Sequence, residues 1–294
     1  MSAPPVQKAP AFRAFEAADL GAAHALSLAA GWPHRAEDWQ WMFAAGGGFV
    51  ALDEGVVIGT ALYWKYGSDR ATLGLVIVSA EAQGRGIGRQ LMERVLGALG
   101  KRVTFLHATP AGKPLYEKLD FKVCGTLDQH QGTVNRVARV EPPSAERLRA
   151  LSCDDVPRVI ELASRASGLD RSEIIPMLLD VAQGVVLERD GELLGFSLAR
   201  GFGRGYAIGP VVAARSPDDA RAKALISHWL AIYSGEFVRI DVPGEAGLGA
   251  WLDALGLKRV DTVVKMVRNA PAEPHRGAPD ARYGVFGILN QAMG

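Results

Sequence analysis

A glycine-rich stretch in the first half of the chain has the residue types and spacing of an anion-binding loop. It follows the apolar run Leu73 to Val78 and precedes a segment in which Leu91 and Val95 recur at helical spacing. The first N–H groups of a helix lack internal partners and carry partial positive charge, and alternate glycines let such amides approach a diphosphate. Two arginines add formal charge. The residues concerned are Gln83, Gly84, Arg85, Gly86, Ile87, Gly88 and Arg89.

Two other phosphate-binding loops fit this stretch less well. A dinucleotide fingerprint requires G-x-G-x-x-G, and counting from Gly84 puts Arg89 at the third glycine position. A P-loop ends in Gly-Lys-Ser/Thr, which this stretch lacks. A plain helix start with accidental glycines is the alternative without function, and the preceding strand and following helix favour the anion site.

The loop reads Gln-Gly-Arg-Gly-Ile-Gly and resembles the pyrophosphate loop, Gln/Arg-x-x-Gly-x-Gly/Ala, of the GCN5-related N-acetyltransferase (GNAT) superfamily. Its approach is similar to the family's Val-x-Pro lead-in, with Ala80 in place of proline. The resemblance covers roughly residues 12–132 and implies acetyl-CoA as co-substrate, without a metal. It also implies that strand backbone holds the pantetheine and thioester, at Val76, Ile77 and Val78.

A second element, from Pro114 to Phe121, resembles the superfamily's Leu-Tyr-x-x-x-Gly-Phe sequence. Tyr116 falls on the tyrosine that often protonates the departing CoA thiolate. A phenol with a pKa near ~10 can donate to a thiolate near ~8.5 only if it is held beside it. Asp120 replaces the usual glycine, a change that affects the turn and keeps the phenol. The alternative is a tyrosine that simply packs on a helix.

A catalytic base is harder to find, because an acceptor amine must lose a proton before it attacks a thioester. Many relatives use a glutamate near the central strand, but Leu73 to Val78 contains no carboxylate. His107, on the predicted strand Val103 to Ala108, is the candidate. A structural histidine with a water chain as base is the alternative.

The segment between the first two predicted helices commonly walls the acceptor pocket in this superfamily. Here it combines tryptophans with acids that could hold a cation by cation–π contact and charge. The alternative is that the tryptophans are core and the acids begin a helix. The candidate acceptor-binding residues are Trp32, His34, Glu37 and Asp38.

The sequence is also written twice, at a constant offset of 136 residues. Arg13 and Asp19 match Arg149 and Asp155. Glycines and residues near the end of each repeat match as well. We predict an α/β protein of two tandem GNAT-like domains, each a mixed central sheet flanked by helices. The predicted limits are 1–140 for the catalytic domain, 144–268 for a degenerate domain, and 269–294 for a tail. Further pairs are Gly48/Gly184, Gly55/Gly191, Gly59/Gly195, Leu119/Leu255 and Lys122/Lys258.

The second repeat lacks the predicted chemical groups. At the same offset Tyr116 meets Leu252, and Asp218 and Asp219 lie where a diphosphate would bind. We therefore predict one CoA per chain. The loop positions Gln83, Gly84, Gly86 and Gly88 map onto Asp219, Ala220, Ala222 and Ala224.

Composition limits the partners. The 294 residues carry a formal net charge of +1, which gives no bulk field for nucleic acid or an acidic membrane. Two cysteines and the lack of a long apolar run predict a soluble cytoplasmic protein. The expected partner is a small-molecule amine, with a homodimer left open. The alternatives are a protein-lysine acetyltransferase and a non-catalytic acyl-CoA-binding or regulatory module. A proline-rich stretch, residues 270–281, is expected to be extended, and the apolar residues after it to dock.

Overall fold

The computed structural model describes residues 9–271 and 278–294, and its helices and strands follow one order twice. The first repeat contains β1 (Ala11–Ala14), α1 (Leu20–Ala29), α2 (Ala36–Ala44), β2 (Gly47–Asp53), β3 (Val56–Tyr66), β4 (Arg70–Val78), α3 (Ile87–Leu99), β5 (Val103–Ala108), α4 (Lys113–Glu117) and β6 (Lys122–Thr133). The second contains β7 (Arg147–Ala150), α5 (Val156–Ser167), α6 (Ile174–Leu179), β8 (Gln183–Arg189), β9 (Glu192–Phe202), β10 (Gly205–Ala214), α7 (Ala220–Ile232), β11 (Phe237–Pro243), α8 (Gly249–Ala254) and β12 (Lys258–Arg268). A last strand, β13 (Tyr283–Gly287), follows.

By its internal contacts the chain divides into two compact units that differ from the two repeats. One unit is Met1–Trp64 with Leu73–Gly100, and the other is Lys65–Thr72 with Lys101–Gly294. The domain limits given above describe the sequence repeat and stay a prediction.

In the first unit, strands β1, β2 and β3 pair antiparallel. The β2–β3 turn places Glu54 at φ 49° and Gly55 at φ 85°, two left-handed residues as in a type I′ hairpin. Asp190 and Gly191 repeat this turn at φ 50° and 80°. The same hairpin turn therefore occurs in both repeats.

Helix α3 buries the apolar face that its sequence predicts. Ile87, Leu91 and Val95 are at most 1% exposed. At Gly59 on β3, a Cβ would lie 3.0 Å from the Ile77 carbonyl oxygen and 3.2 Å from the Leu91 side chain. Glycine is needed there because helix and strand approach closely, which explains this scaffold position.

In the second unit, the mixed sheet contains strands from both repeats. Residues 70–72 of β4 pair in parallel with β5, and the order continues β12, β6, β11, β10, β9, β8, β7, with β13 on β10. Strand β12 of the second repeat thus lies between β5 and β6 of the first. Strand β6 in turn pairs with β11. The two repeats have exchanged their last strands.

An ion pair at the start of each repeat has the same geometry. Arg13 donates to both carboxylate oxygens of Asp19 at 2.7 Å, and Arg149 donates to those of Asp155 at 2.6 and 2.7 Å. These hydrogen bonds lower the pKa of both carboxyl groups. The carboxylates also accept the N–H groups of Glu16 and Ser152 at the following turn. The sequence repeat is therefore a structural repeat.

The apolar end of the chain docks as predicted. Strand β13 pairs antiparallel with β10, and Arg171 donates to the carbonyl oxygens of Met293 and Gly294 at 3.0 and 2.6 Å. Of the stretch expected to be extended, residues 272–277 lie outside the described residues. In the part of the chain that is described, every helix is too short or too polar to cross a membrane.

Candidate active site

Strand β4 contains one irregular residue just before the backbone expected to hold a thioester. Leu75 has φ 52°, a left-handed conformation that interrupts the regular strand. The Thr60 hydroxyl donates to the Leu75 carbonyl oxygen at 2.8 Å and fixes the irregularity. Ile77 is buried, whereas Val76 and Val78 are half-buried. The role of these three residues stays a prediction.

The loop between β4 and α3 uses its glycines for conformation. Gly84 and Gly86 have φ 76° and 75°, and a Cβ on either would meet no atom within 4 Å. Gly86 is the N-cap of α3, and the first bond of the helix runs from the Gln90 N–H to the Gly86 carbonyl oxygen at 3.1 Å. Within residues 9–271 and 278–294, the amides of Ile87, Gly88 and Arg89 have no hydrogen-bond acceptor. They are available to an anion.

The polar side chains of the loop are already bonded within the first unit. Arg85 donates to Asp53 at 2.8 Å, and Arg89 pairs with Glu93 at the same distance. Gln83 donates to the Val78 carbonyl oxygen at 3.2 Å. The predicted arginine charges are thus partly compensated, so the backbone amides are the main attraction for a diphosphate.

Tyr116 lies in α4 and is buried, with 8% of the residue exposed. Its edge packs on Phe121, with 6.1 Å between ring centroids, and Gly112 leaves room for it, because a Cβ there would lie 2.9 Å from the ring. Burial raises the pKa of Tyr116 to about 12. Its hydroxyl makes no hydrogen bond to any residue of the described chain. The phenol is therefore protonated and free to donate.

Asp120, which stands where the resembling sequence element has glycine, adopts a left-handed conformation. Its φ is 65°, and the Phe121 N–H donates to the Tyr116 carbonyl oxygen at 3.1 Å. In the second repeat Gly256, at φ 92°, takes the same place, and the Leu257 N–H reaches the Leu252 carbonyl oxygen at 3.0 Å. The substitution leaves the turn intact, because Asp tolerates the left-handed region better than most residues.

The second repeat closes its helix start with its own side chains. Asp218 and Asp219 have φ 53° and 50°, and Ser216 Oγ accepts the Arg221 N–H at 3.3 Å. The Arg221 guanidinium is held by Glu146 at 2.6 Å. The carboxylates of Asp218 and Asp219 would repel a bound anion, and the Arg221 N–H is already bonded to Ser216.

The predicted pairing of the two loops is wrong by three residues. The N-cap of α7 is Asp219, which matches Gly86 at an offset of 133 because the second loop is shorter. The partners of Gln83, Gly84, Gly86 and Gly88 are therefore Ser216, Pro217, Asp219 and Arg221, not Asp219, Ala220, Ala222 and Ala224. The corrected pairing again contains no glycine.

His107 is held by the chain's last segment. Its Nδ1 lies 2.8 Å from the Gln291 carbonyl oxygen, which requires a proton on Nδ1 and leaves the Nε2 lone pair free in the neutral ring. Burial lowers the pKa of His107 to about 4. The residue lines a cavity of about 350 Å³ in the second unit. Its role as base stays a prediction.

Of the predicted acceptor-binding residues, Asp38 has a structural task. It is 1% exposed, accepts the Arg35 N–H at 2.9 Å and so begins α2. Glu37 is exposed, and Trp32 packs on His34 with 6.0 Å between ring centroids. Trp32, His34 and Glu37 stay predicted acceptor residues, whereas Asp38 fits the structural alternative.

Comparison with known proteins identifies the family. Residues 44–123 and 159–278 each match a model described as an acetyltransferase (GNAT) domain. The two ranges cover more than half of the chain, which belongs to the GNAT superfamily as a tandem member.

A curated relative matches most of the chain in sequence, and two solved structures share its fold. YitH of Bacillus subtilis, an uncharacterized N-acetyltransferase, is 24% identical over 275 residues, covering 90% of this chain and 92% of YitH. A proposed acetyltransferase from Pyrococcus horikoshii superposes with TM-score 0.76 and 22% identity, over 98% and 96% of the two chains. A tandem GNAT protein from the clavulanic acid biosynthesis pathway superposes with TM-score 0.64 and 16% identity, over 90% of this chain and 100% of that one. The family and these relatives support an acyltransferase.

Proposed function

We propose that this chain transfers an acetyl group from acetyl-CoA to the primary amine of a small molecule, by direct attack in a ternary complex. The observation that carries the proposal is the start of α3. Left-handed Gly84 and Gly86 present the free amides of Ile87 and Gly88 in an open position. Such a helix start suits the diphosphate of CoA, because amides and helix dipole both favour negative charge.

In the proposed transfer, the amine nitrogen bonds to the acetyl carbon, the carbon–sulfur bond breaks, and the sulfur gains a proton. Tyr116 is the proposed donor to the sulfur. Its pKa of about 12 keeps the phenol protonated, but full transfer to a thiolate near ~8.5 would cost about 5 kcal/mol. Tyr116 therefore acts first as a hydrogen-bond donor that stabilises the developing thiolate, with proton transfer following as the amine loses its own proton.

The test is acetylation of an amine panel, followed by mass spectrometry of the products. Mass is preferable to a thiol-reactive dye, because Cys124 and Cys153 are exposed free thiols. The panel contains small amines, amino acids and lysine peptides, so that a protein-lysine acetyltransferase would reveal itself by a preference for peptides. CoA binding without any acetylated product would favour the non-catalytic module.

Tyr116→Phe tests the role of the phenol. Loss of a hydrogen bond to a thiolate lowers kcat by roughly 10–100-fold, and loss of a proton donor by roughly 10²–10⁴-fold. The matched control is Tyr206→Phe, which removes the hydroxyl of a ring stacked on Tyr233 at 3.8 Å. Equal kcat in the two variants, at saturating amine, would assign the proton to water or another group.

A further inference from the structure

Three neighbouring strands of the second unit place a row of residues side by side, and two of these residues line the cavity. On β5, β12 and β6, His107 is the register partner of Lys265, and Lys265 is the partner of Gly125. Residues opposite each other on antiparallel strands project from the same face. Both His107 and Lys265 line the cavity of about 350 Å³. At the third position, a Cβ on Gly125 would lie 4.0 Å from Glu245 Oε2 and 3.9 Å from Lys265 Cβ. The Glu245 carboxylate therefore lies next to Gly125, at ordinary van der Waals distance from the position of a Cβ there.

The charged groups of Lys265 and Glu245 are available to a ligand. Asp280, also in the lining, pairs with Arg165 and Arg282 at 2.9 and 2.8 Å. The lining arginines, Arg171 and Arg215, donate to backbone carbonyl oxygens. Among the charged lining residues that the structure describes, Lys265 and Glu245 make no side-chain hydrogen bond or ion pair.

The rest of the lining suits a small organic molecule. The Lys265 ammonium lies 5.4 Å from the centre of the Phe105 ring, and aliphatic and aromatic side chains of β13 and the segment after it form another wall. The volume falls at the lower end of small-molecule pockets, which run from about 300 to 1,000 Å³. His107 presents an unprotonated Nε2, a hydrogen-bond acceptor for an amine N–H.

We propose that this cavity binds the acceptor, and that the acceptor is a small zwitterion of the amino-acid type, with its carboxylate on Lys265 and its amine between Glu245 and His107. A positive and a negative side chain, too far apart to pair, match the two charges of such a molecule. An amine without a carboxylate would leave Lys265 unpaired in a half-buried site, at a cost in free energy. The assignment as acceptor rests on the proposed function, whereas binding of the zwitterion does not.

The experiment compares the common amino acids with their decarboxylated amines, such as phenylalanine with 2-phenylethylamine. Binding is measured by calorimetry with CoA present and absent, and acetylation by mass spectrometry. The wild type should bind its preferred amino acid roughly 10–100-fold more tightly than the matching amine. Lys265→Met should remove that preference and leave binding of the amine unchanged.

Lys258→Met is the matched control, since Lys258 lies on the same strand and donates to the Asp253 carbonyl oxygen. It should keep the preference for the zwitterion. Glu245→Gln should weaken binding of both the amino acid and the amine, because both carry the ammonium.

Each result decides the matter. Equal affinity for amino acid and amine, equal effects of Lys265→Met and Lys258→Met, or no binding of any amino acid would overturn the inference. If an amino acid binds in a way that requires Lys265 but is not acetylated, the cavity is the zwitterion site and the transferase proposal is refuted. If amines are acetylated equally well by the wild type and by Lys265→Met, the transferase proposal is supported and the zwitterion site is refuted.

Discussion

Replacing Gly86 by glutamate tests the diphosphate site at its centre. Gly86 is the N-cap of α3 at φ 75°, with open space around the position of a Cβ. A side chain there strains the backbone by roughly 1–2 kcal/mol, because the left-handed region suits glycine. Its Cβ would meet no protein atom within 4 Å, and a carboxylate at a helix start is itself favourable, so the variant should fold.

The effect on CoA follows from the amides that α3 exposes. A glutamate beside them competes for the N–H groups of Ile87 and Gly88 and repels the diphosphate. Loss of two charge-assisted hydrogen bonds removes about 3–6 kcal/mol, which weakens binding by roughly 10²–10⁴-fold. Calorimetric titration with CoA measures the loss directly.

A matched control distinguishes the effect of backbone strain from the effect of losing the CoA site. Gly191 also has a left-handed conformation, φ 80°, with no atom within 4 Å of its Cβ position, and it lies in the β8–β9 turn. Gly191→Glu adds the same side chain and charge away from α3, and should bind CoA as the wild type does. Unchanged affinity in folded Gly86→Glu, or an equal loss in Gly191→Glu, would refute the assignment.

Three further predictions follow from the same geometry. One CoA should bind per chain by calorimetric stoichiometry, because Ser216 and two aspartates occupy the second helix start; two equivalent molecules would contradict this. His107 has a folded pKa of about 4, below its unfolded value, so the unfolded state binds more protons in between and stability falls as pH drops from ~6.5 towards 4. His107→Gln should recover up to about 3 kcal/mol of that loss in denaturant titrations at pH 4 relative to pH 7, and parallel curves for both proteins would count against it. Asp120→Gly should stabilise the fold by about 0.5–1 kcal/mol, because φ 65° suits glycine, with Gly256→Asp as the reverse change; a loss of stability would contradict the strain argument.

Features encoded by neighbouring residues could be predicted from the sequence. The buried face of α3 and its glycine start each depend on a few adjacent residues whose backbone preferences agree. The repeat was also visible, and the Arg13–Asp19 and Arg149–Asp155 pairs show why those positions match. The shorter loop before α7 could not be seen in the sequence. Residues before and after this region match at an offset of 136, whereas the start of α7 itself matches that of α3 at an offset of 133.

Features that depend on distant pairing could not be predicted. Lys265 and His107 come together because β12 lies beside β5, and Glu245 joins them because it follows β11, which pairs with β6. Nothing local in any of the three sequences indicates these pairings. Asp38 shows a different limit. An acid in the first turn of a helix looks the same in sequence whether it caps the helix or faces a ligand, and only the bond from the Arg35 N–H distinguishes the two.

The exchange of last strands also determines when this protein can fold. Strand β5 pairs with β12 of the second repeat, so the ribosome must make all the intervening residues before this edge of β5 can meet its partner. Pairing between strands so far apart in sequence raises the contact order. Folding is slower because the entropy cost of closing the long loop comes before the strands gain any pairing energy. An open strand edge is also a site for pairing with other chains. A chain that stops at Pro142 would lack β12 altogether, so the first repeat by itself could not form the β5–β12–β6 arrangement seen in the second unit.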